Sequence, residues 1–300
     1  MIANFDRCEI CGADVWNIVY EGPVRDGPFG RLTGPTVVAH CGECGVERLA
    51  EKACLPDSAY ETSEYRAKLA AGLTSAEYWT THDAMQRPFL DIILGQSPRG
   101  KTVADVGCGG GGLLDHLCGL ASERLAIEPY REYRADLARR GYRTYAYARD
   151  ALGEWAGKID LATSIQVIEH TADPRAYLAD IAELLAPEGR LVISTPNTTD
   201  LLLELLGAEY RQFYYRTVHR WYFSAASLTA CARLAGLELV KTRHLQRYGL
   251  SNAMGWLRDR RPLGASTLAG IDTRADAFWK SHLEEIGRSE CLLQIYRASR

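Results

Sequence analysis

A short apolar strand that runs directly into a glycine-rich loop limits the possible folds of this chain more than any other feature. Residues 103–112 read VADVGCGGGG, in which five glycines are interrupted only by Cys108. Glycine loses more conformational freedom on folding than other residues, so such a run indicates backbone that must approach another group closely. A loop of this kind after a buried strand is typical of the ligand-binding edge of a parallel sheet.

Strand and helix signals alternate five times around this loop. The strand segments are KTVADVG, RLAIEP, RTYAYA, KIDLATSIQVIEH and RLVISTPN, all between residues 101 and 197. This alternation predicts parallel strands joined by crossover helices, and therefore an α/β fold with a doubly wound sheet. Upstream of the loop, apolar residues at helical spacing predict a helix over residues 75–95.

Two ligands fit the glycine loop. Gly107, Gly109 and Gly112 have the G-x-G-x-x-G spacing of dinucleotide-binding loops, which is weak evidence by itself. Gly107, Gly109 and Gly111 fit the G-x-G-x-G spacing of S-adenosylmethionine (SAM) enzymes equally well. The loop alone leaves both alternatives open.

Three carboxylates around the loop favour SAM. Asp105 lies two residues before the first glycine, where a negative charge suits the ammonium group of SAM better than a pyrophosphate. Glu128 ends the second strand, where an acid can accept both ribose hydroxyls. Asp150 follows the third strand, where a carboxylate can bind the adenine amino group. We therefore predict a SAM site formed by the glycines and these three acids.

Two Cys-x-x-Cys pairs, each followed by glycine, lie in the N-terminal segment. They are Cys8–Cys11 and Cys41–Cys44, with 29 residues between Cys11 and Cys41. Four thiolates complete a tetrahedral zinc site, and a site with four protein ligands has no open position for chemistry. We predict a structural Zn²⁺ in a small ribbon over residues 1–55, and we expect this ribbon to have a core separate from that of the cofactor-binding domain. Redox-active or inert thiols are the alternative.

Four segments, in their order and spacing, resemble those of class I SAM-dependent methyltransferases. They are VADVGCGGGG, AIEP, IDLATSIQVIEHTADPRAYLADIAELLAPEGRLVISTPN and HRWYFSAASLTACARLAGLELV, within residues 100–245. The resemblance implies an α/β fold with a doubly wound, seven-stranded Rossmann-like methyltransferase sheet, to which the cysteines add a small N-terminal zinc ribbon. It implies two further strands at LELVKTRHLQ and ECLLQIYRAS, the last of them antiparallel. We expect a linker and helical lead-in over residues 56–98, and the methyltransferase domain over 99–300 with an insertion at 248–289.

The family chemistry is an in-line displacement at a methyl group, for which the protein supplies approach geometry and excludes water. The segment VIEH would then bring Glu169 and His170 beside the methyl group. We predict that His170 is the general base, because an unperturbed histidine has a pKa near neutrality. A helix cap or loop anchor is the alternative. Glu169 would orient His170 or bind the acceptor, or it is a solvated carboxylate. Gln166 is expected near the cofactor.

The acceptor is expected to be a small molecule. The four-cysteine module is similar to that of sugar C-methyltransferases and related enzymes, which implies a nucleotide sugar or a natural-product intermediate. The sequence does not indicate whether carbon, oxygen or nitrogen is methylated. Residues 201–300 hold fifteen Lys/Arg against nine Asp/Glu, which would suit an anionic acceptor; a solvated basic surface is the alternative. Arginines among the aromatics of residues 209–223 would suit a diphosphate.

Charge and hydropathy argue against other functions. An RNA base methyltransferase that holds RNA on its zinc ribbon is the alternative, but residues 1–60 carry nine acids and five bases, which does not suit phosphate binding. The net charge of −3 gives no general attraction to nucleic acid. A non-catalytic binding module would not need Asp105 and Glu128. The sequence shows no signal peptide and no apolar run of membrane length, so we expect a cytoplasmic protein with no membrane partner.

Overall fold

The computed structural model describes residues 5–69 and 72–299. The strands are β1 (Trp16–Arg25), β2 (Leu32–Cys41), β3 (Glu47–Leu49), β4 (Thr102–Val106), β5 (Glu123–Ile127), β6 (Arg143–Tyr145), β7 (Ile159–Ile165), β8 (Leu185–Pro196), β9 (Trp221–Tyr222), β10 (Leu237–Leu245) and β11 (Cys291–Ala298). The helices are α1 (Ser58–Glu61), α2 (Ser63–Leu69), α3 (Ser75–Leu94), α4 (Gly112–His116), α5 (Arg131–Arg139), α6 (Ala148–Trp155), α7 (Pro174–Leu184), α8 (Leu201–Leu205), α9 (Ala208–Tyr214), α10 (Ala225–Leu234), α11 (Leu250–Asp259) and α12 (Thr273–Glu285).

Seven strands form one mixed sheet in the order β10-β11-β8-β7-β4-β5-β6. Strand β4 pairs in parallel with β5 on one side and with β7 on the other, so the chain reverses its direction of winding there. Strand β11 is antiparallel to both β8 and β10. The predicted seven-stranded, doubly wound sheet with an antiparallel last strand is confirmed. Its ligand site belongs at the carboxyl ends of β4 and β7.

The central strands are apolar because both faces of the sheet are covered. In β4, Val103 packs into one buried cluster, while Ala104 and Val106 pack into the other. Alternate residues of a strand point to opposite faces, so a strand covered on both faces becomes an almost unbroken apolar run. Asp105 interrupts this run, and a carboxyl group in a buried strand indicates a functional role.

Two predicted strands are shorter in the structure than in the sequence interpretation. The third, expected over residues 143–148, ends at Tyr145 because Tyr147 caps α6. The fourth, expected over residues 158–170, ends at Ile165. The reason is that Gln166 takes a left-handed φ of +58°, after which residues 168–170 form a single 3₁₀ turn.

The N-terminal ribbon shares its core with the larger sheet. Strands β1, β2 and β3 form a four-stranded sheet with β9. Strand β9 is far from the other three in the chain, because it comes after β8. Cys8 and Cys41 belong to the same buried cluster as Trp221 and Leu228. We expected the ribbon to have a core of its own, and this was wrong, because β9 brings a tryptophan into the ribbon from the other side. The domain bounds at residues 55 and 98 stay predictions.

The lead-in and the C-terminal segment complete the fold. The helix predicted over residues 75–95 is α3, which begins with a capping box between Thr74 and Glu77. Helices α11 and α12 lie between β10 and β11, within the segment predicted as an insertion. Across the described residues, no helix combines the length and apolar character needed to cross a membrane.

Candidate active site

The glycine loop joins β4 to α4 at the carboxyl edge of the sheet. Gly107, Gly109 and Gly111 have left-handed φ angles of +83°, +55° and +82°. A Cβ atom would lie 2.4 Å from the Val167 side chain at Gly107, and 2.5 Å from the Tyr78 ring at Gly109. Backbone conformation and lack of space therefore both require glycine at these two positions. The three left-handed positions are those of the G-x-G-x-G spacing.

Asp105 is buried beneath this loop, with 4% of its surface exposed. Its Oδ1 accepts a hydrogen bond from the Thr163 hydroxyl at 2.7 Å. Burial, together with the nearby charge of Glu128, raises the Asp105 pKa to about 7. With this pKa, the carboxyl group is only partly ionised near pH 7. A bound cation would favour its ionised form.

Glu128 follows β5 and reaches back to the glycine loop. Its Oε2 accepts the amide hydrogen of Gly109 at 3.0 Å, and its Oε1 accepts that of Tyr130 at 2.9 Å. These bonds fix a buried carboxylate beside the loop, in the position predicted for ribose recognition. The structure thus brings Asp105, Glu128 and the glycines together.

Arg66, on α2, is a site residue that the sequence interpretation missed. Its guanidinium donates to Glu128 Oε1 at 2.6 Å. It also lies 4.0 Å from the ring centroid of Tyr130 and 4.5 Å from that of Tyr133. The lead-in is therefore part of the site, because α2 covers the carboxylate of Glu128. Nothing in the local sequence around Arg66 distinguishes it from a solvated helix charge.

Asp150 has a different environment from the other two acids. It is exposed, and its carboxylate accepts the amide hydrogen of Tyr147, the N-cap residue of α6, at 3.0 Å from the third position of that helix. Its role toward adenine stays a prediction.

A cavity of about 110 Å³ opens between α3 and the carboxyl edge of the sheet. Asp105, Gly107 and Gln166 line it from the sheet side. From α3, the rings of Tyr78 and His82 stack at 4.1 Å and form part of the opposite wall. The sequence predicted α3 but gave no signal that its face would close this cavity.

Gln166 lines the same cavity at the end of β7. Its left-handed φ is unusual for a residue other than glycine, and it directs the chain away from the sheet. Its Nε2 donates to the Ser194 hydroxyl at 3.4 Å. Strained backbone of this kind is common at functional sites.

Glu169 and His170 follow in the 3₁₀ turn, where Glu169 is buried and His170 is half-buried. The Nδ1 atom of His170 lies 2.6 Å from the carbonyl oxygen of Val218, and its Nε2 lies 4.0 Å from Glu169 Oε1. Glu169 is 0% exposed; its Oε2 accepts from the Thr195 hydroxyl at 3.1 Å, while its Oε1 has no hydrogen-bond partner among the described residues. Glu169 is thus not a solvated carboxylate.

Burial changes the titration of this pair in opposite directions. It lowers the His170 pKa to about 4, with the charge of Arg216 acting in the same sense. It raises the Glu169 pKa to about 7. The histidine is therefore neutral at physiological pH, and the carboxyl group, rather than the imidazole, titrates near neutrality.

The four N-terminal cysteines converge. The Sγ atoms of Cys8 and Cys44 are 3.7 Å apart, and those of Cys11 and Cys41 are 3.6 Å apart. All four Sγ atoms lie within 4.8 Å of one another. Four thiolates at about 2.3 Å from a tetrahedral Zn²⁺ would be separated by about 3.8 Å, so the arrangement fits this ion.

Known proteins are similar to the part of the chain that carries the glycine loop and the strands around it. A family model described as a methyltransferase domain matches residues 80–242. The ubiquinone biosynthesis O-methyltransferase of Xanthomonas axonopodis pv. citri is 32% identical over 185 residues, which cover 55% of this chain and 77% of that protein. The protein of the same name from Caulobacter sp. is 35% identical over 127 residues, covering 39% of this chain and 50% of that protein.

Solved structures agree with the fold. A SAM-dependent methyltransferase from Thermotoga maritima superposes with a TM-score of 0.51 at 18% identity, covering 75% of this chain and 94% of that chain. A protein from Pyrococcus horikoshii gives a TM-score of 0.50 at 14% identity, covering 79% of this chain and 99% of that chain.

Proposed function

Because the chain belongs to the methyltransferase domain family and is a SAM-dependent methyltransferase, we propose that it methylates a hydroxyl oxygen of a small molecule, such as a sugar or a natural-product intermediate. The observation that carries this proposal is one juxtaposition: Asp105 and Glu128 lie at the same sheet edge as the Glu169–His170 pair. The relatives from Xanthomonas and Caulobacter, both named O-methyltransferases, support oxygen as the accepting atom.

In this proposal the carboxylates of the sheet edge hold SAM, which supplies an electrophilic methyl group and its own leaving group. Glu128 accepts hydrogen bonds from the ribose hydroxyls, so Arg66 must share or release Oε1. Asp105 faces the ammonium group, whose positive charge would lower the Asp105 pKa from about 7 and favour the carboxylate. Asp150 and Gln166 remain the predicted neighbours of the adenine and of the cofactor.

His170 accepts the proton of the acceptor hydroxyl at Nε2. The carbonyl of Val218 can only accept a hydrogen bond, so Nδ1 carries the hydrogen and Nε2 has a free lone pair. As the hydroxyl oxygen bonds to the methyl carbon and the carbon–sulfur bond breaks, the proton passes to Nε2. The Glu169 carboxylate, whose Oε1 lies 4.0 Å from Nε2, would stabilise the positive charge of the imidazolium that forms. Activity should therefore rise with pH as Glu169 ionises.

The test is methyl transfer by the full chain from SAM with an isotope-labelled methyl group. Nucleotide sugars and phenols form the acceptor panel, mass spectrometry detects the product, and NMR identifies the labelled atom. His170→Ala is compared with His116→Ala, a matched variant at an exposed histidine. We expect a labelled methyl ether, formed by wild type and His116→Ala. Label on carbon or nitrogen would contradict the proposal.

The four cysteines support a structural zinc ion at the ribbon. The distances between their sulfur atoms match a tetrahedral site, and Gly12 and Gly45 follow the two pairs with left-handed φ angles of +78° and +76°. All four ligands come from the protein, so the ion would have no open position for an acceptor. Metal analysis of protein purified without chelator should find one zinc per chain; metal-free protein with an intact fold would contradict this.

A further inference from the structure

Two arginines lie side by side where the ribbon meets the methyltransferase sheet. Arg25 at the end of β1 and Arg216 form a parallel β-bridge. The Arg25 amide donates to the Tyr215 carbonyl at 2.9 Å, and the Thr217 amide donates to the Arg25 carbonyl at 3.0 Å. Side chains of directly paired residues leave the backbone on the same face, so the two guanidinium groups share one surface.

Neither guanidinium forms a salt bridge or a side-chain hydrogen bond with the described residues, although the charge of Arg216 acts on the Glu169 carboxylate. Both side chains are half-buried, and the Nε atoms of both are buried without a hydrogen-bond partner. Arg25 lies 4.0 Å above the ring centroid of Phe213. Burial and the charge of Arg216 lower the Arg25 pKa to about 9. Like charges directly opposite one another are destabilising, so this pair costs stability until something neutralises it.

The other buried and half-buried arginines among the described residues have polar partners. Arg66 is bonded to Glu128 at 2.6 Å, and Arg247 is bonded to Glu290 at 2.7 Å. Arg124 and Arg211 donate instead to the carbonyl oxygens of Leu114 and Val19. The guanidinium groups of Arg25 and Arg216 have no such bond within the described residues, and an external anion would supply one.

The pair lies next to the proposed base. The His219 amide donates to the Arg216 carbonyl at 3.0 Å, His170 Nδ1 lies 2.6 Å from the Val218 carbonyl, and the two histidine rings are 4.8 Å apart. His219 is 6% exposed, and its Nδ1 is buried without a partner among the described residues. An anion bound here would belong to the acceptor, because the carboxylates assigned to SAM, Asp105 and Glu128, bond Thr163 and the glycine loop and make no bond to either arginine.

We propose that Arg25 and Arg216, with His219 beside them, bind a phosphate or diphosphate group of the acceptor. The proposal rests on the proposed function, since His170 marks the reacting end of the acceptor. Guanidinium groups bind phosphate oxygens through paired, charge-assisted hydrogen bonds, and two of them on one surface match a group with several oxygens. The acceptor class is thus a phosphorylated hydroxyl compound.

The test is calorimetric titration of inorganic pyrophosphate into the full chain saturated with S-adenosylhomocysteine. Arg25→Gln and Arg216→Gln are compared with Arg233→Gln, an exposed arginine of α10. We expect each of the first two to weaken pyrophosphate binding by about tenfold, which is the usual worth of one charge-assisted hydrogen bond. Arg233→Gln should bind as wild type does. Equal binding by wild type and Arg216→Gln, or no binding by wild type, would overturn the proposal.

Thermal unfolding separates this role from a structural one. Without pyrophosphate, Arg216→Gln should be at least as stable as wild type, because it removes a repulsion. Pyrophosphate should then stabilise wild type more than the variant. A less stable variant with unchanged pyrophosphate binding would show a structural arginine and overturn the proposal. Tighter binding of malonate than of pyrophosphate would also overturn it, in favour of a carboxylate. Failure to bind S-adenosylhomocysteine would instead count against the proposed function.

Discussion

Replacing Glu169 by glutamine should stabilise the protein at high pH but not at low pH. The carboxyl group is fully buried and receives one hydrogen bond, from Thr195, so burial raises its pKa from 4.5 to about 7. Between these values the folded state binds more protons than the unfolded state, and stability falls as the pH rises. This difference between the Glu169 pKa values of the unfolded and folded states corresponds to roughly 3 kcal/mol in the free energy of unfolding. Glutamine keeps the shape and the acceptor for Thr195 but never ionises.

The assay is urea unfolding of wild type and Glu169→Gln from pH 4.5 to pH 8. We expect similar free energies of unfolding at pH 4.5 and an advantage of up to about 3 kcal/mol for the variant at pH 8. Other titrating groups are common to both proteins, so they cancel in the difference. Glu132→Gln, at an exposed glutamate of α5, should show no such trend. A difference between wild type and Glu169→Gln that stays constant over this range would refute the reasoning.

Three further predictions concern the base, the loop and the ribbon. His170→Ala should slow methyl transfer by about a hundredfold with unchanged SAM affinity; near-normal turnover of this variant would mean that His170 is structural. The pH–rate profile of wild type should inflect near the Glu169 pKa of about 7, not near the ordinary histidine value. Gly109→Ala should abolish S-adenosylhomocysteine binding in calorimetry, because its Cβ would lie 2.5 Å from Tyr78, whereas Gly153→Ala, with open space around it, should bind normally. Chelation of zinc should lower the thermal stability of the whole chain in one transition, because Cys8 and Cys41 lie in the shared core; loosening of the ribbon alone would argue against that coupling.

The sequence predicted the parts of the site that depend on local pattern. Asp105, the glycines and Glu128 follow strand ends, and the carboxyl ends of parallel strands meet at one sheet edge. Their convergence could therefore be inferred from an alternating strand and helix pattern. The same reasoning found the four cysteines, because metal ligands in pairs leave a fixed spacing.

The rest depends on contacts between distant segments and on burial. Arg66 reaches Glu128 across 62 positions, and Arg25 meets Arg216 through a bridge that no local pattern announces. Strand β9 could not be predicted, because two residues carry no periodicity. The prediction that His170 has a pKa near neutral pH was wrong because the sequence does not show burial. The sequence identifies the imidazole but not the low-dielectric surroundings that lower its pKa.

Calorimetric titration of S-adenosylhomocysteine shows directly whether the glycine loop and its carboxylates form a SAM site. Wild type should bind it, and Glu128→Gln should bind at least about tenfold more weakly through loss of charged hydrogen bonds. Since that change also leaves Arg66 without its partner, the double variant Arg66→Gln/Glu128→Gln controls for misfolding and should bind as weakly. Glu132→Gln should match wild type. Equal affinity in Glu128→Gln, or tight NADH binding without S-adenosylhomocysteine binding, would contradict the account.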